Sequence, residues 1–145
     1  MTSQTGVSMP QGPCKLCLQD KNLQDSHLLP RALYKMTRDP TRNPPDPIAI
    51  TSKITVRTSK QIKDYLLCQD CEHLFNKNGE HWVMQQVYNG KDFPLLDRLK
   101  LALHVYADPV LQAYAGAAVG IDTGKLAYFA LSVLFTTIHF FSSKW

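Results

Sequence analysis

Hydrophobic and polar positions follow a strand-like pattern in the first half of the chain and a helical pattern in the second half. Isoleucine, valine and threonine are frequent at 48–58, where Ile54 and Val56 alternate with polar neighbours. This alternation predicts a strand. At 69–88 the apolar positions recur at helical spacing, and the Asn-Gly pair that follows is typical of a turn that ends a helix. The pattern therefore predicts an α+β fold.

Three more helical segments are expected after residue 90. Pro94 suits the first turn of a helix, and an apolar stripe then runs along one side of the predicted helix. The members of that stripe are Leu95, Leu96, Leu99, Leu103 and Tyr106. An alanine-rich segment from Pro109 to about Gly120 is predicted to be the next helix, and the segment from Lys125 onward the last one. Residues 91–145 are therefore predicted to form an α-helical extension.

Residues 126–141 of the last segment contain no charged side chain. A membrane-spanning helix needs about 20 consecutive apolar residues, whereas this run is shorter and includes Ser132, Thr136 and His139. The sequence therefore favours a buried core helix and argues against a membrane span. Because the chain stops at Trp145 soon afterwards, two interpretations stay open. The chain is a fragment of a longer protein, or this helix is buried against a protein partner or a second copy.

Residues 1–12 are small and polar, and they lack the basic start and the apolar stretch of a secretory signal. We interpret them as a flexible tail on a cytoplasmic protein. Thiols stay reduced in the cytoplasm, so paired cysteines there favour a metal ion over disulfides.

The four cysteines form two C-x-x-C pairs, Cys14 with Cys17 and Cys68 with Cys71. This spacing lets both sulfurs of a pair face one ion, and four sulfurs satisfy a tetrahedral zinc ion. A redox role would need only one pair within a thioredoxin-like pattern, which the sequence lacks. A short knuckle, then strands, then a helix with the last two ligands is the layout of a treble-clef zinc finger. A closed four-cysteine site stabilises the fold and leaves no position for catalysis.

Positive charge is concentrated between residues 31 and 63. That stretch has eight basic and two acidic residues and carries +6, so the rest of a chain whose total is +4 sums to −2. A basic stretch beside a metal site is typical of a surface that binds a phosphate backbone. A solvated basic surface without a ligand fits the same charge distribution, so both interpretations stay open.

Three motifs resemble those of the zinc-stapled branch of HNH-type (ββα-metal) nucleases. They are the first C-x-x-C pair, the Ser-His-Leu-Leu-Pro-Arg segment at 26–31 and the Tyr-Leu-Leu-Cys-Gln-Asp-Cys-Glu segment at 65–72. A closer similarity is to a group of uncharacterised bacterial proteins, which also share the Ala-Tyr-Phe-Ala-Leu-Ser segment at 127–132. The resemblance implies a treble-clef, HNH-like zinc domain at 13–90. It also implies an endonuclease that hydrolyses phosphodiester bonds in DNA.

The nuclease interpretation assigns roles to particular residues, and the metal ligands named here are a set that this chain could supply in place of the usual family ligands. His27 would act as general base on a water molecule, since an imidazole takes up a proton near neutral pH. A Mg²⁺ or Mn²⁺ ion would polarise the scissile phosphate, and its candidate ligands are Asp25, Asp64 and Glu72. Glu72 is thus a candidate for both catalysis and metal binding. The phosphate contacts are expected from Arg31, Lys35, Arg57 and Lys60.

Two departures from the family pattern leave an alternative function open. Ser26 stands where many HNH nucleases have an acidic ligand, and Glu72 stands where they have their final histidine. A chain with such changes can keep the fold and lose the chemistry. The alternative is a non-catalytic zinc-binding module that binds nucleic acid or a protein partner.

Overall fold

The computed structural model describes residues 9–43, 45–50 and 52–143, and it contains both helices and strands. The strands are β1 (Gln11–Pro13), β2 (Asp20–His27), β3 (Ile48–Ile50), β4 (Thr55–Arg57), β5 (Lys63–Cys68), β6 (Tyr106–Ala107) and β7 (Gln112–Ala113). The helices are α1 (Arg31–Met36), α2 (Gln69–Phe75), α3 (His81–Val87), α4 (Pro94–Leu101) and α5 (Thr123–Ser142), with a π-helical segment at Asn76–Glu80 and a 3₁₀ turn at Gly116–Val119. The expected mixture of helices and strands is confirmed.

The chain forms two compact units. The first combines the residues up to Glu72 with those from Thr136 onward, and the second is His73–Phe135. This division differs from the expected boundary near residue 90. Residues 1–8 of the expected tail lie outside the described residues, whereas Gln11 and Gly12 already belong to β1.

An antiparallel sheet in the order β1-β2-β5 lies at the centre of the first unit. β2 buries Leu23 and Ser26, which are three positions apart because a bulge between Leu23 and Asp25 shifts the register. The end of β5 is buried at three successive positions, Leu66, Leu67 and Cys68. The core of this unit therefore lies where β5 leads into α2.

Ile48–Ile50 and Thr55–Arg57 are the two strands of a β-hairpin, in place of the single strand expected at 48–58. β3 and β4 pair antiparallel, and the backbone amide of Thr58 donates a hydrogen bond to the carbonyl oxygen of Pro47 at 3.0 Å. This bond closes the open end of the hairpin, here called its foot. The predicted alternation belongs to β4 alone, because a bend at Ser52 and Lys53 separates the two strands.

The helix predicted from residue 69 to about 88 is present, but its middle is a π-helical segment. Tyr88 ends the run in an extended conformation, and Gly90 follows with a left-handed φ of 99°, which suits glycine. Gly79 is buried in the π-helical segment, where a Cβ atom would lie 2.9 Å from the backbone nitrogen of Phe129. This close approach explains a glycine at a position where helix propensity disfavours it.

The helix that begins at Pro94 is shorter than expected. α4 ends at Leu101, after which Ala102 is extended. Leu103 is 91% exposed and Tyr106 belongs to β6, so neither joins the predicted apolar stripe. The valine and tyrosine after residue 104 favour a strand, and pairing with β7 ends the helical pattern.

The alanine-rich helix expected from Pro109 to about Gly120 is wrong. A short hairpin of β6 and β7 occupies its first part, and only Gly116–Val119 forms a single 3₁₀ turn. The carboxylate of Asp108 accepts hydrogen bonds from the backbone amides of Val110 at 2.8 Å and Leu111 at 2.6 Å. Aspartate before proline favours such a turn, and this local bonding overrides the helix propensity of the alanines.

α5 is a helix as predicted, but it is not the buried core helix that its composition suggested. It is 20 residues long and apolar enough to cross a membrane by length and composition, criteria that a core helix also meets. Only 11% of its 18-residue apolar window is buried, and its buried side chains are Ser132 and Thr136. The exposed large apolar side chains recur at helical spacing: Leu131, Leu134, Ile138 and Phe141.

Hydrogen bonds explain why polar side chains occupy the buried positions of α5. The hydroxyl of Ser132 donates to the carbonyl oxygen of Phe129 at 2.8 Å. The hydroxyl of Thr136 donates to the carbonyl oxygen of Leu28 at 3.4 Å, within the first unit. A buried polar group with a partner is tolerated, so hydrophobicity alone does not identify the covered face of this helix.

Candidate metal centre and cationic pocket

Four cysteine side chains meet in the first unit. Their Sγ atoms all lie within 4.8 Å of one another. Cys14 and Cys17 lie between β1 and β2, Cys68 ends β5, and Cys71 lies in the first turn of α2. The predicted cluster is confirmed, and it can hold a metal ion such as zinc.

The distance between two of the sulfurs matches that around a tetrahedral zinc ion. Four zinc–sulfur bonds of about 2.3 Å in that geometry place the sulfurs about 3.8 Å apart. The sulfurs of Cys17 and Cys68 are 3.9 Å apart. Three of the four thiols are buried, and Cys17 is half-buried. In the described parts of the chain, this is the one group of three or more Cys, His, Asp or Glu side chains close enough to share an ion.

Backbone hydrogen bonds build the knuckle that carries the first cysteine pair. The amide of Leu18 donates to the carbonyl oxygen of Cys14 at 2.8 Å, and the amide of Cys14 donates to that of Gln19 at 2.9 Å. Leu18 adopts a left-handed φ of 61°, which costs a non-glycine residue about 1–2 kcal/mol. The amide of Lys15 donates to the carbonyl oxygen of Leu66 at 2.9 Å and attaches the knuckle to β5.

Two of the thiols have shifted pKa values. Burial raises the pKa of Cys14, but backbone N–H groups, led by that of Cys17, outweigh burial and lower it to about 6. Burial raises the pKa of Cys71, and the neighbouring sulfurs raise it further. At neutral pH Cys14 is therefore mainly a thiolate and Cys71 a thiol. Because metal ions bind thiolates, an ion that enters this cluster displaces the proton of Cys71.

His27 lies at the end of β2, opposite Lys63 of β5, and its side chain is half-buried. Its ring centroid is 6.3 Å from that of Tyr34 in α1. The amide of the next residue, Leu28, donates to the carbonyl oxygen of Ile62 at 3.0 Å and holds the strand at this point. The predicted general base is thus on the same sheet as the cysteine cluster and next to α1.

Asp25 and Asp64, two of the carboxylates predicted to hold a second metal ion, lie on different faces of the sheet. In the register of β2 and β5, Asp25 is opposite Tyr65, and Ser26 is opposite Asp64. Successive positions on a strand point to opposite faces. The side chains of Asp25 and Asp64 therefore point away from each other.

Each of the predicted carboxylates has its own surroundings. Asp25 forms an ion pair with Lys63, and Asp64 accepts hydrogen bonds from the Tyr65 amide at 2.9 Å and the Ser143 hydroxyl at 3.1 Å. Glu72 lies on α2, directly after the last cysteine. In the described residues, none of the three belongs to a group that can hold an ion.

Basic side chains from two segments line one cavity of about 300 Å³ in the first unit, here called the cationic pocket. Arg31, Lys35 and Lys60, three of the four predicted phosphate contacts, are brought together there. The other described lining residues are Tyr34, Thr37, Arg38, Pro47, Thr58, Ser59 and Gln61. None of the described lining residues is acidic, so the pocket is positive, although Asp46 offsets the charge of Arg38 from outside the lining.

Arg57 lies outside the described lining of the pocket, and Arg38 joins it without having been predicted. Arg57 donates from Nη1 to the carbonyl oxygen of Asp46 at 3.4 Å. Arg38 forms an ion pair with the carboxylate of Asp46 at 2.8 Å. Arg38 lies beyond α1, which ends at Met36, so the only sequence signal for it is its place in the basic stretch at 31–63.

No protein-family model matches the chain, and no similar protein is found among curated proteins or solved structures. The only support for a similarity to HNH-type nucleases is therefore the set of sequence motifs. The functional interpretation rests on the chemistry of the cysteine cluster and the cationic pocket.

Proposed function

We propose that this chain is a zinc-stabilised module that binds the phosphate backbone of nucleic acid, with DNA as its ligand. The observation that carries the proposal is the convergence of four basic side chains on one cavity. This cavity is in the same compact unit as the four-cysteine cluster. The proposal includes a treble-clef arrangement, in which the knuckle, the end of β5 and the start of α2 supply the ligands.

Zinc is the ion proposed for the cysteine cluster, because four thiolates in tetrahedral geometry suit it. With every position taken by sulfur, the ion has no place for water or substrate. Its effect is structural: it would join the knuckle to the start of α2. Through β5 this junction supports the sheet on which His27 lies.

The chemistry of the cationic pocket suits a phosphate group. The guanidinium group of Arg31 presents a planar pair of donors that matches phosphate oxygens, whereas Nη2 of Arg38 is already paired with the Asp46 carboxylate. Lys35 and Lys60 add two further positive charges, and hydroxyl groups line the remaining wall. Cations gathered around one concavity repel one another, and a bound anion relieves this repulsion.

An endonuclease is the second candidate, and the position of His27 favours it. The ring of His27 lies beside Tyr34, which also lines the cationic pocket. A general base would thus stand next to a bound phosphate. The resemblance to HNH-type nucleases adds a Mg²⁺ or Mn²⁺ ion with Glu72 among its ligands. Because Asp25 and Asp64 face opposite sides of the sheet, binding without cleavage is the function that the geometry supports best.

Fluorescence anisotropy with a labelled DNA duplex tests the proposal. We expect the zinc-loaded protein to bind at low salt, and the Arg31→Ala/Lys35→Ala double variant to bind about tenfold more weakly. The matched control is Lys91→Ala/Lys100→Ala, which removes the same charge from exposed positions of the second unit. Equal losses in both double variants would show that net charge and not the pocket binds DNA. Absence of binding by the wild-type protein would overturn the proposal.

A further inference from the structure

The hairpin formed by β3 and β4 carries its large apolar side chains outward. Ile48, Ile50 and Val56 are 49%, 77% and 44% exposed, and Ile54, directly before β4, is 59% exposed. Ile48 and Ile50 share one face of the hairpin, and Val56 lies on the other. Neighbouring exposed apolar side chains such as Ile48 and Ile50 can mark an interaction site. The hairpin is therefore a candidate binding element.

Positive charge accompanies these apolar side chains. Residues 48–63 include Lys53, Arg57, Lys60 and Lys63 and contain no aspartate or glutamate. A partner that covers this element must offer apolar groups together with negative charge. The major groove of duplex DNA does so, because thymine methyl groups lie there between two phosphate backbones.

The foot of the hairpin is also part of the cationic pocket. Pro47 and Thr58 flank the two strands, are joined by the 3.0 Å hydrogen bond, and line the pocket beside Arg31 and Lys35. A phosphate held in the pocket therefore lies next to the hairpin. The groove that borders this phosphate is then within reach of the hairpin.

The dimensions and the register of the hairpin suit a groove. The major groove is about 12 Å wide and 8.5 Å deep and admits a two-stranded ribbon, and three residues of strand rise about 10 Å. Ile48 is opposite Arg57, and Ile50 is opposite Thr55, so these four side chains share one face. The face offers methyl contacts to thymine and hydrogen bonds to base edges.

We infer that the β3–β4 hairpin enters the major groove of double-stranded DNA while the cationic pocket holds an adjacent phosphate. The inference rests on the proposed nucleic-acid function and adds two properties to it. The first is a preference for duplex over single-stranded DNA. The second is direct contact with base edges, which makes the hairpin the sequence-dependent part of the interface.

A double variant of the hairpin tests this inference by anisotropy. Ile48→Ser/Ile50→Ser removes the methyl groups, and Leu101→Ser/Leu103→Ser, at positions 89% and 91% exposed in the second unit, is the matched control. Binding is measured to a mixed-sequence duplex and to its separate strands over a salt series. We expect the hairpin variant to bind the duplex about tenfold more weakly with an unchanged salt slope, because every phosphate contact remains. The control should bind as the wild-type protein does.

Dimethyl sulfate footprinting on the same duplex identifies the groove, since this reagent methylates guanine N7 in the major groove and adenine N3 in the minor groove. We expect the wild-type protein to protect guanine N7 and the hairpin variant to lose that protection. Protection of adenine N3 alone would overturn the inference. Equal duplex binding by the wild-type protein and the hairpin variant would also overturn it, and would leave the proposed function intact if the Arg31→Ala/Lys35→Ala loss persists.

Two further outcomes separate this inference from the function on which it rests. No binding to duplex or single strands by the wild-type protein would overturn both proposals. A hairpin variant that binds the duplex normally but loses affinity for anionic phospholipid vesicles would assign the hairpin to a lipid surface and overturn the groove interaction. Circular dichroism of each variant confirms that the fold is unchanged.

Discussion

The backbone amide of Cys68 donates a hydrogen bond to the sulfur of Cys14 over 3.3 Å, although 54 positions separate the two residues. This bond connects the knuckle to the end of β5. Burial raises the pKa of Cys14, yet this amide and those of Cys17 and Leu16 lower it to about 6. These amides therefore favour the thiolate of Cys14, which is the form that binds a metal ion.

Loss of a cysteine ligand should remove the metal and unfold the first unit. Cys17→Ala deletes the half-buried thiol, and we expect loss of bound zinc and a lower unfolding temperature. The reason is that structural zinc contributes about 10 kcal/mol or more to folding in small domains. Cys17→His is the matched control, because imidazole is also a zinc ligand. Metal analysis and circular dichroism during heating measure both effects, and a Cys17→Ala variant that keeps its zinc would contradict the prediction.

The salt dependence of DNA binding should report the number of phosphate contacts that the protein makes. Lys60→Ala removes an exposed charge from the cationic pocket. We expect the slope of log affinity against log salt to fall by about 0.9, because one counterion fewer is released. The loss should be similar for all duplex sequences. Anisotropy over a salt series measures the slope, and Lys125→Ala in the second unit is the control. An unchanged slope for Lys60→Ala would show that Lys60 does not contact a DNA phosphate.

Plasmid cleavage decides whether the module is also an endonuclease. If it is, zinc-loaded protein with added Mg²⁺ or Mn²⁺ should nick the plasmid, and His27→Ala should slow nicking by about 100-fold, the effect of losing a general base. His104→Ala, at an exposed position of the second unit, is the control. Zinc content and circular dichroism should be the same in all three proteins. No cleavage by the wild-type protein would indicate that the module binds DNA without cleaving it.

Glu80→Gln should stabilise the second unit at neutral pH. Burial raises the pKa of Glu80 above its ordinary value of 4.5, so folding favours the protonated carboxyl. The stability from this group is present below pH 4.5 and is lost as pH rises through the pKa of the folded state. Glutamine imitates the protonated form at every pH. The variant should therefore unfold at a higher temperature than the wild-type protein near neutral pH, and at the same temperature below pH 4.5. Equal unfolding temperatures near neutral pH would contradict the prediction.

Gly79→Ala should destabilise the second unit even though alanine is the better helix former. The new Cβ atom would lie 2.9 Å from the nitrogen and 3.0 Å from the Cα of Phe129. Overpacking of this kind costs about 1–3 kcal/mol, against a gain of about 1 kcal/mol in helix propensity. Asn78→Ala, at the exposed neighbouring position, is the control. Urea unfolding measures the free energies of unfolding of the Gly79→Ala and Asn78→Ala variants. A Gly79→Ala variant at least as stable as the wild-type protein would show that α5 shifts easily to make room for the Cβ atom.

The cysteine cluster could be predicted from the sequence because each half of it is a local signal. A two-residue spacer brings two sulfurs together whatever the rest of the chain does. Arg31 and Lys35 of α1 could also be predicted to lie together, since a four-residue interval places two side chains on one face of a helix. The approach of Lys60 to them depends on the turn after β4, which no local pattern specifies.

The positions of the predicted carboxylates and the covered side of α5 could not be predicted from the sequence. Neighbouring strand positions look equivalent in sequence, and only the register, shifted by the bulge after Leu23, places Asp25 and Asp64 on opposite faces. In α5, hydrophobic periodicity indicates a helix but does not identify the covered side. There the hydroxyls of Ser132 and Thr136 have partners and are buried, whereas larger apolar side chains are exposed.

The bond from the Thr136 hydroxyl to the Leu28 carbonyl joins residues that are 108 positions apart. During synthesis the ribosome releases both cysteine pairs within the first 71 residues, whereas Thr136 emerges only after all of His73–Phe135. All four cysteines are therefore synthesised before the last segment of the first unit. Contacts between such distant residues form slowly. The polypeptide that follows Cys71 must therefore be made before the first unit can close around the cysteine cluster.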